Sequence, residues 1–167
     1  MVLIHSMSRR ECRDFLARLG TGRLGCARNN QPYVVPIYFA YEADHLYGFS
    51  TVGQKIEWMR ENPLVCLEAD EVDSHNQWAS VVVLGRFEEL PDKPEYSEQR
   101  RQARSILEKR AMWWQTGYAA SQPRSNPKPA AAVFYCIHIE EMSGHRAVPD
   151  KIESSLSAIR PRLGKPG

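Results

Sequence analysis

The sequence predicts a mainly β fold, an antiparallel barrel with helical additions, on three observations. Short apolar or aromatic runs of strand length follow one another across turn-forming residues. The few helical stretches do not alternate with strands, which argues against a doubly wound sheet. The 167 residues, 43% hydrophobic and 25% charged, suit one globular domain. We expect that domain over residues 1–149 and a fraying tail over 150–167, where Pro161, Gly164 and Pro166 interrupt scattered charge.

The elements follow in order. Ser8-Arg9-Arg10-Glu11 has the spacing of a capping box, and Cys12, Phe15, Leu16 and Leu19 then share one helical face, with Gly20 placed for a left-handed C-terminal cap. Arg23–Arg28 and Tyr33–Tyr41 read as a hairpin across Asn29-Asn30, and Pro36 puts the second run at an edge, a bulge or a barrel mouth. His45–Phe49 is a third strand, and Gln54–Asn62 a helix ended by Pro63, with Trp58 as core packing. Leu64–Ala69 is a strand, and a polar hairpin-like stretch, Asp70–Gln77, leads into Trp78–Glu89, whose apolar middle predicts burial on both faces. A charged helix from about Glu95 to Trp114, a long loop over Gln115–Pro129 and a last strand over Ala131–Ile139 complete the chain, with Glu140–Arg146 extending that strand or turning off it.

Composition removes several function classes. Twenty-two Lys+Arg against twenty Asp+Glu leave +2, too little for a nucleic-acid-binding field. No apolar run nears the roughly 20 residues that span a bilayer, and Met1–Ser6 lacks the basic start of a secretory signal, so a soluble cytoplasmic protein without a membrane partner is expected. Cys12, Cys26, Cys66 and Cys136 lie far apart with no C-x-x-C pair and read as reduced core thiols. His5, His45, His75 and His145 show no ligand spacing, so no metal is expected, and His138, opposite in phase to Ile137 and Ile139, faces a groove or solvent.

The one segment built for an anion is Ser50-Thr51-Val52-Gly53-Gln54-Lys55. It follows a strand and opens a helix, gathering two hydroxyls, a glycine, free amides and an ammonium, though it lacks the Walker spacing. Around it, Tyr33-Val34-Val35-Pro36-Ile37-Tyr38-Phe39, Leu46-Tyr47-Gly48-Phe49-Ser50-Thr51 and Gly53-Gln54-Lys55-Ile56-Glu57-Trp58-Met59-Arg60-Glu61-Asn62-Pro63-Leu64-Val65-Cys66 occur in order, then Trp78–Leu90. From about Ser8 to Arg146 the chain resembles the pyridoxamine 5′-phosphate oxidase-like, FMN-binding split barrels, in the branch of flavin-nucleotide-binding proteins similar to nitroimidazole-resistance proteins.

The resemblance implies a six-stranded antiparallel split barrel that forms a homodimer with FMN in grooves between subunits. It carries the phosphate to Ser50, Thr51 and Lys55, with Gln54 helping, and the flavin ring to Val35, Pro36, Ile37 and Tyr38 beside Phe49. Ser80, Trp113 and Trp114 would approach from the second subunit. The chain departs from its nitroimidazole-reducing relatives, since Ser50 rather than histidine follows Phe49. The basic pattern of pyridoxamine-phosphate oxidases is missing from Val34–Phe39. The expected function is an FMN-dependent oxidoreductase acting on an unidentified small molecule. A flavin carrier or sensor, or a protein using the deazaflavin F420, is the alternative.

Overall fold

Ser8 caps the first helix as its spacing predicts: the hydroxyl accepts from the Glu11 amide, and the Glu11 carboxylate accepts from the Ser8 amide at 2.8 Å. The helix, α1, spans Arg9–Arg18 in a computed structural model that describes residues 2–110 and 132–149. Its end differs from expectation. Leu19, with φ −77° and ψ 153°, is the cap, and no glycine among the described residues takes a positive φ, so Gly20 is not a left-handed cap; the chain leaves the helix already extended toward the next strand.

Eight described strands form one sheet: β1 (Val2–Ser6), β2 (Thr21–Arg28), β3 (Gln31–Tyr38), β4 (Ala40–Glu42), β5 (His45–Thr51), β6 (Leu64–Ser74), β7 (Gln77–Leu90) and β8 (Ala132–Pro149). Two of these exceed the six expected. β1 escaped notice because all five of its residues are exposed and carry no alternation; it is held by pairing with the far end of β8. The Tyr33–Tyr41 run divides at Phe39, whose amide turns to the Gly20 carbonyl at 2.9 Å and leaves β4 to pair with β5. The Asn29-Asn30 turn is where the sequence puts it, and a second of the same kind joins β4 to β5. Asn29 and Asn30 take φ of 50° and 62°, and Ala43 and Asp44 take 48° and 62°.

The sheet runs β3-β2-β6-β7-β8-β5-β4, every pair antiparallel, and β3 comes back into contact with β5, which closes the barrel with its split there. Pro36 therefore lies on the terminal strand of the path, where its missing amide disturbs no second ladder. β6 runs on through the polar residues to Ser74, and β8 through to Pro149 with an irregularity opposite Leu84/Gly85. The reason lies in strand pairing: β7 is 14 residues long and offers both neighbours a full-length partner.

Alternation along β7 decides the faces. Val81, Val83, Gly85 and Phe87 are buried, but Leu84 between them is 46% exposed, so the strand is buried on one face and not on two. The row Val35–Leu24–Leu67–Val83 crosses four strands, half-buried at Val35 and fully buried at the other three, each of which is worth about 1.5–3 kcal/mol. Helix α2 (Gln54–Glu61) caps this inner core with Ile56, Trp58 and Met59, and Trp58 packs against the Tyr33 ring at 5.5 Å as core. A second, smaller core lies on the outer face, where α3 (Ser97–Glu108) covers Tyr47, Leu90, Phe134 and Cys136. The expected helix to Trp114 is thus described as α3 preceded by a short turn at Pro94–Tyr96. Trp113, Trp114, the Gln115–Pro129 loop and the 150–167 tail lie outside the described residues. The four cysteines are free thiols.

Candidate functional site

Helix α2 starts at Gly53, which provides no side chain to cap the first amides, so the donors of that turn stay available. Lys55 stands in the first turn, half-buried beside the inner core. Burial holds its ammonium below the usual lysine range, offset only in part by the Cys26 thiol nearby. Among the described residues it has no carboxylate partner, although arginines all over this surface have one. Arg60, one turn further along α2, grips Glu89 at 2.7 and 2.8 Å, and Arg13 grips Asp44 at 3.0 and 2.6 Å. A desolvated cation without a counter-ion is costly, and an arriving anion relieves that cost.

Ser50 and Thr51 end β5 directly before this turn. Ser50 is 7% exposed, and its hydroxyl donates to the Thr51 carbonyl at 3.1 Å. Gln54 is exposed at the helix start. The structure thus brings Ser50, Thr51, Gln54 and Lys55 into one short turn, with β3 alongside β5.

The remaining predicted residues fall on two faces. Val35 packs against the inner core and Ile37 belongs to it, while Pro36 and Tyr38 point outward, Tyr38 with 48% exposure. Ser80 shares the outward phase three strands away, paired with Asp70 and His145. It does not reach the lysine turn within one chain. Phe49 packs onto Phe134 with ring centroids 5.0 Å apart, in the second core.

Beside Pro36 and Tyr38 the outer face is bare of helix among the described residues. A groove of about 470 Å³ crosses it, with Val34, Cys66 and Leu84 in one transverse row and Glu140 and Glu141 at its far side. Val34, Leu64 and Leu84 around it are 62%, 53% and 46% exposed.

Sequence spacing missed a group altogether. His45 Nε2 lies 3.0 Å from His138 Nδ1, and His138 Nε2 lies 2.5 Å from Glu88 Oε2, with Cys136 beside them. These residues are far apart in sequence and meet only through β-strand register. Burial, and then Glu88, push the Cys136 thiol up to about 12. Two same-phase residues on β8, Cys136 and His138, were the available signal.

A mainly antiparallel split barrel with a half-buried lysine in the turn after β5 defines a class, and comparison with known proteins names it. The family model described as pyridoxamine 5′-phosphate oxidase matches residues 8–146, and the chain belongs to that family. It is 42% identical over 146 residues to an uncharacterized protein of Rhizobium meliloti (strain 1021), covering 87% of this chain and 97% of the relative. It is similar to the crystal structure of a FAD-binding protein from Mesorhizobium loti, with 43% identity, 89% of this chain and 100% of that one covered, and a TM-score of 0.72. The fold is shared also with a FAD-binding protein from Mycobacterium smegmatis, at 20% identity, 87% and 100% coverage and a TM-score of 0.60.

Proposed function

We propose that the chain is a homodimeric flavoprotein that holds FMN and acts through it as an oxidoreductase. The observation that carries this reading is Lys55, a half-buried ammonium with no carboxylate partner among the described residues, in a turn with two hydroxyls and uncapped amides. A dianionic phosphate is the ligand such a turn fits best.

In this reading Lys55 supplies the point charge, Thr51 and Gln54 donate to phosphate oxygens, and Ser50 joins them if its hydroxyl swings from the Thr51 carbonyl. Val35, Pro36, Ile37 and Tyr38 line the ring, and the free edge of β3 offers backbone groups to its polar rim. Phe49 acts indirectly, by packing the end of β5. The flavin would supply electron or hydride transfer, and the protein orients it and limits solvent. A second copy would seat on the bare outer face around Val34, Leu64 and Leu84, bringing its Ser80, Trp113 and Trp114 to the groove.

The FAD-binding description of the 43% identical relative favours FAD as a second reading. Both nucleotides present a phosphate at the same distance from the ring, so the turn serves either. The visible spectrum of the purified protein and mass spectrometry of the released chromophore decide between them. We expect a yellow protein with close to one FMN per chain. Released FAD would retain the site and change the nucleotide; a colourless protein that neither flavin reconstitutes would overturn the flavin reading. Multiple turnovers with NADH or NADPH then separate an oxidoreductase from a carrier or sensor.

A further inference from the structure

We propose that Glu88, Cys136 and His138 bind one divalent metal ion of the zinc class per chain, on the outer face of the sheet and apart from the lysine turn. Register builds the site. Glu88 on β7 stands opposite Cys136 on β8, and His138, two residues on and in the same phase, stands opposite Arg86 on β7 and His45 on β5. One carboxylate oxygen, one sulfur and one imidazole nitrogen thereby lie within 4.8 Å of one another.

The spacing is close to what a metal needs. With zinc bonds of about 2.3 Å to sulfur and about 2.0–2.1 Å to nitrogen and oxygen, tetrahedral ligand atoms stand roughly 3.3–3.6 Å apart. Cys136 Sγ is 3.5 Å from His138 Nε2 and 3.8 Å from Glu88 Oε2. Only the His138–Glu88 separation, 2.5 Å, has to widen.

Hydrogen bonding fixes which His138 nitrogen faces the site. His45 Nδ1 is 2.8 Å from the Ala43 carbonyl, which can only accept, so that nitrogen carries hydrogen. The Nε2 of a neutral His45 then accepts from His138 Nδ1, 3.0 Å away. This leaves the His138 Nε2 lone pair directed at the Glu88 carboxylate, a contact that is attractive only with a proton or a metal cation between the two atoms. His45 thus serves as the outer hydrogen-bond partner that orients a metal-binding imidazole.

Ligand chemistry and access narrow the ion. Mixed nitrogen, sulfur and oxygen donors suit zinc better than calcium or magnesium. A divalent ion with one thiolate and one carboxylate is electrically neutral, and binding releases the Cys136 proton. Cys136 forms the buried floor at 4% exposure, whereas the His138 and Glu88 side chains are 43% and 35% exposed, leaving a coordination position open to water. His45 and Thr51 bound β5, so this cluster stands about 20 Å along the strand from the lysine turn.

The test is zinc titration of chelator-stripped, full-length protein by calorimetry in buffers of different ionisation enthalpy, with cobalt as a spectroscopic probe. Expected are one zinc per chain, measurable proton release, and a thiolate-to-cobalt charge-transfer band that Cys136→Ser removes. His138→Asn, a change on a half-exposed side chain, abolishes stoichiometric binding, and His45→Phe weakens it about 10–100-fold. Glu88→Gln serves as the second ligand variant if His138→Asn melts below the wild type. Absence of stoichiometric zinc in the wild type, or binding unchanged in whichever ligand variant folds, overturns the site; the latter outcome would assign the metal to other thiols.

Discussion

At one end of β5 a half-buried lysine stands with no carboxylate to meet it among the described residues, whereas at the other end His45 and His138 pass hydrogen bonds along to Glu88. The same strand, paired along its whole length with β8, supports both arrangements. The difference lies in what surrounds each end: the lysine leans on the inner core beside Cys26, while the histidines sit on the outer face with solvent access. An unmet buried charge marks a place for a ligand of opposite sign. A cluster of imidazole, thiol and carboxylate offers ligand atoms to a cation and needs no external anion. Charge satisfaction, more than residue type, therefore separates the two ends.

The most disruptive change is one that removes both ends together. Gly48 lies midway along β5, and a Cβ there would overlap the ring of Tyr135, which is fully enclosed and has nowhere to move. Gly48→Ala is expected to destabilise by about 3 kcal/mol or more, at the upper end for overpacking, and to yield insoluble or molten protein by near-UV circular dichroism. A cooperative, wild-type-like melt would show that the strand tolerates displacement and that its two ends are not rigidly linked.

Next in size is the outer face. Leu84→Glu should leave the isolated chain's stability within about 0.5 kcal/mol, because the side chain is half-exposed there. If a second copy covers that face, the same substitution buries a charge and shifts the protein to monomer in analytical ultracentrifugation, with flavin lost in parallel. A dimer that persists would move the interface elsewhere and detach Ser80 from the flavin groove.

Lys55→Met isolates the unmet charge. Flavin affinity is expected to fall at least about tenfold, the loss of one charge-assisted contact of about 1.5 kcal/mol or more, while the apo protein melts higher than wild type. The pH dependence carries its own sign. Because the folded lysine titrates below its usual 10.5, the unfolded chain holds more protons between the two values, and apo wild-type stability rises with pH across that window relative to Lys55→Met. Parallel melting curves for the two proteins would remove the claim that Lys55 is desolvated.

Much of this comparison was legible in the sequence at one end and invisible at the other. Ser50, Thr51, Gln54 and Lys55 are consecutive enough that a strand ending and a helix starting place them together, and Asn29-Asn30 and the Ser8 capping box are equally local. The pairing of His45 with His138 depends on a register between β5 and β8, across 93 residues, which local pattern does not specify. The same holds for β1, whose exposed residues show no periodicity, and for the one-sided burial of β7, where a solid apolar run hides an alternation imposed by tertiary contacts. Local chemistry announces itself in sequence; chemistry assembled by strand register does not.

The smallest expected effect concerns Tyr135, which lies between the two ends, on the inner face of β8. Its ring packs tilted against Phe87 at 5.6 Å, and its hydroxyl is buried without a hydrogen-bond partner among the described residues. Burial alone drives the phenol pKa upward, so the group remains a neutral phenol at any working pH. A buried hydroxyl with no partner gains nothing in the fold to offset its lost hydration, while the ring's packing does not require the oxygen. Tyr135→Phe is therefore expected to be neutral or to stabilise by up to about 1 kcal/mol in chemical denaturation, without changing flavin or metal content. Destabilisation by more than that would mean that the hydroxyl has a partner in the assembled protein.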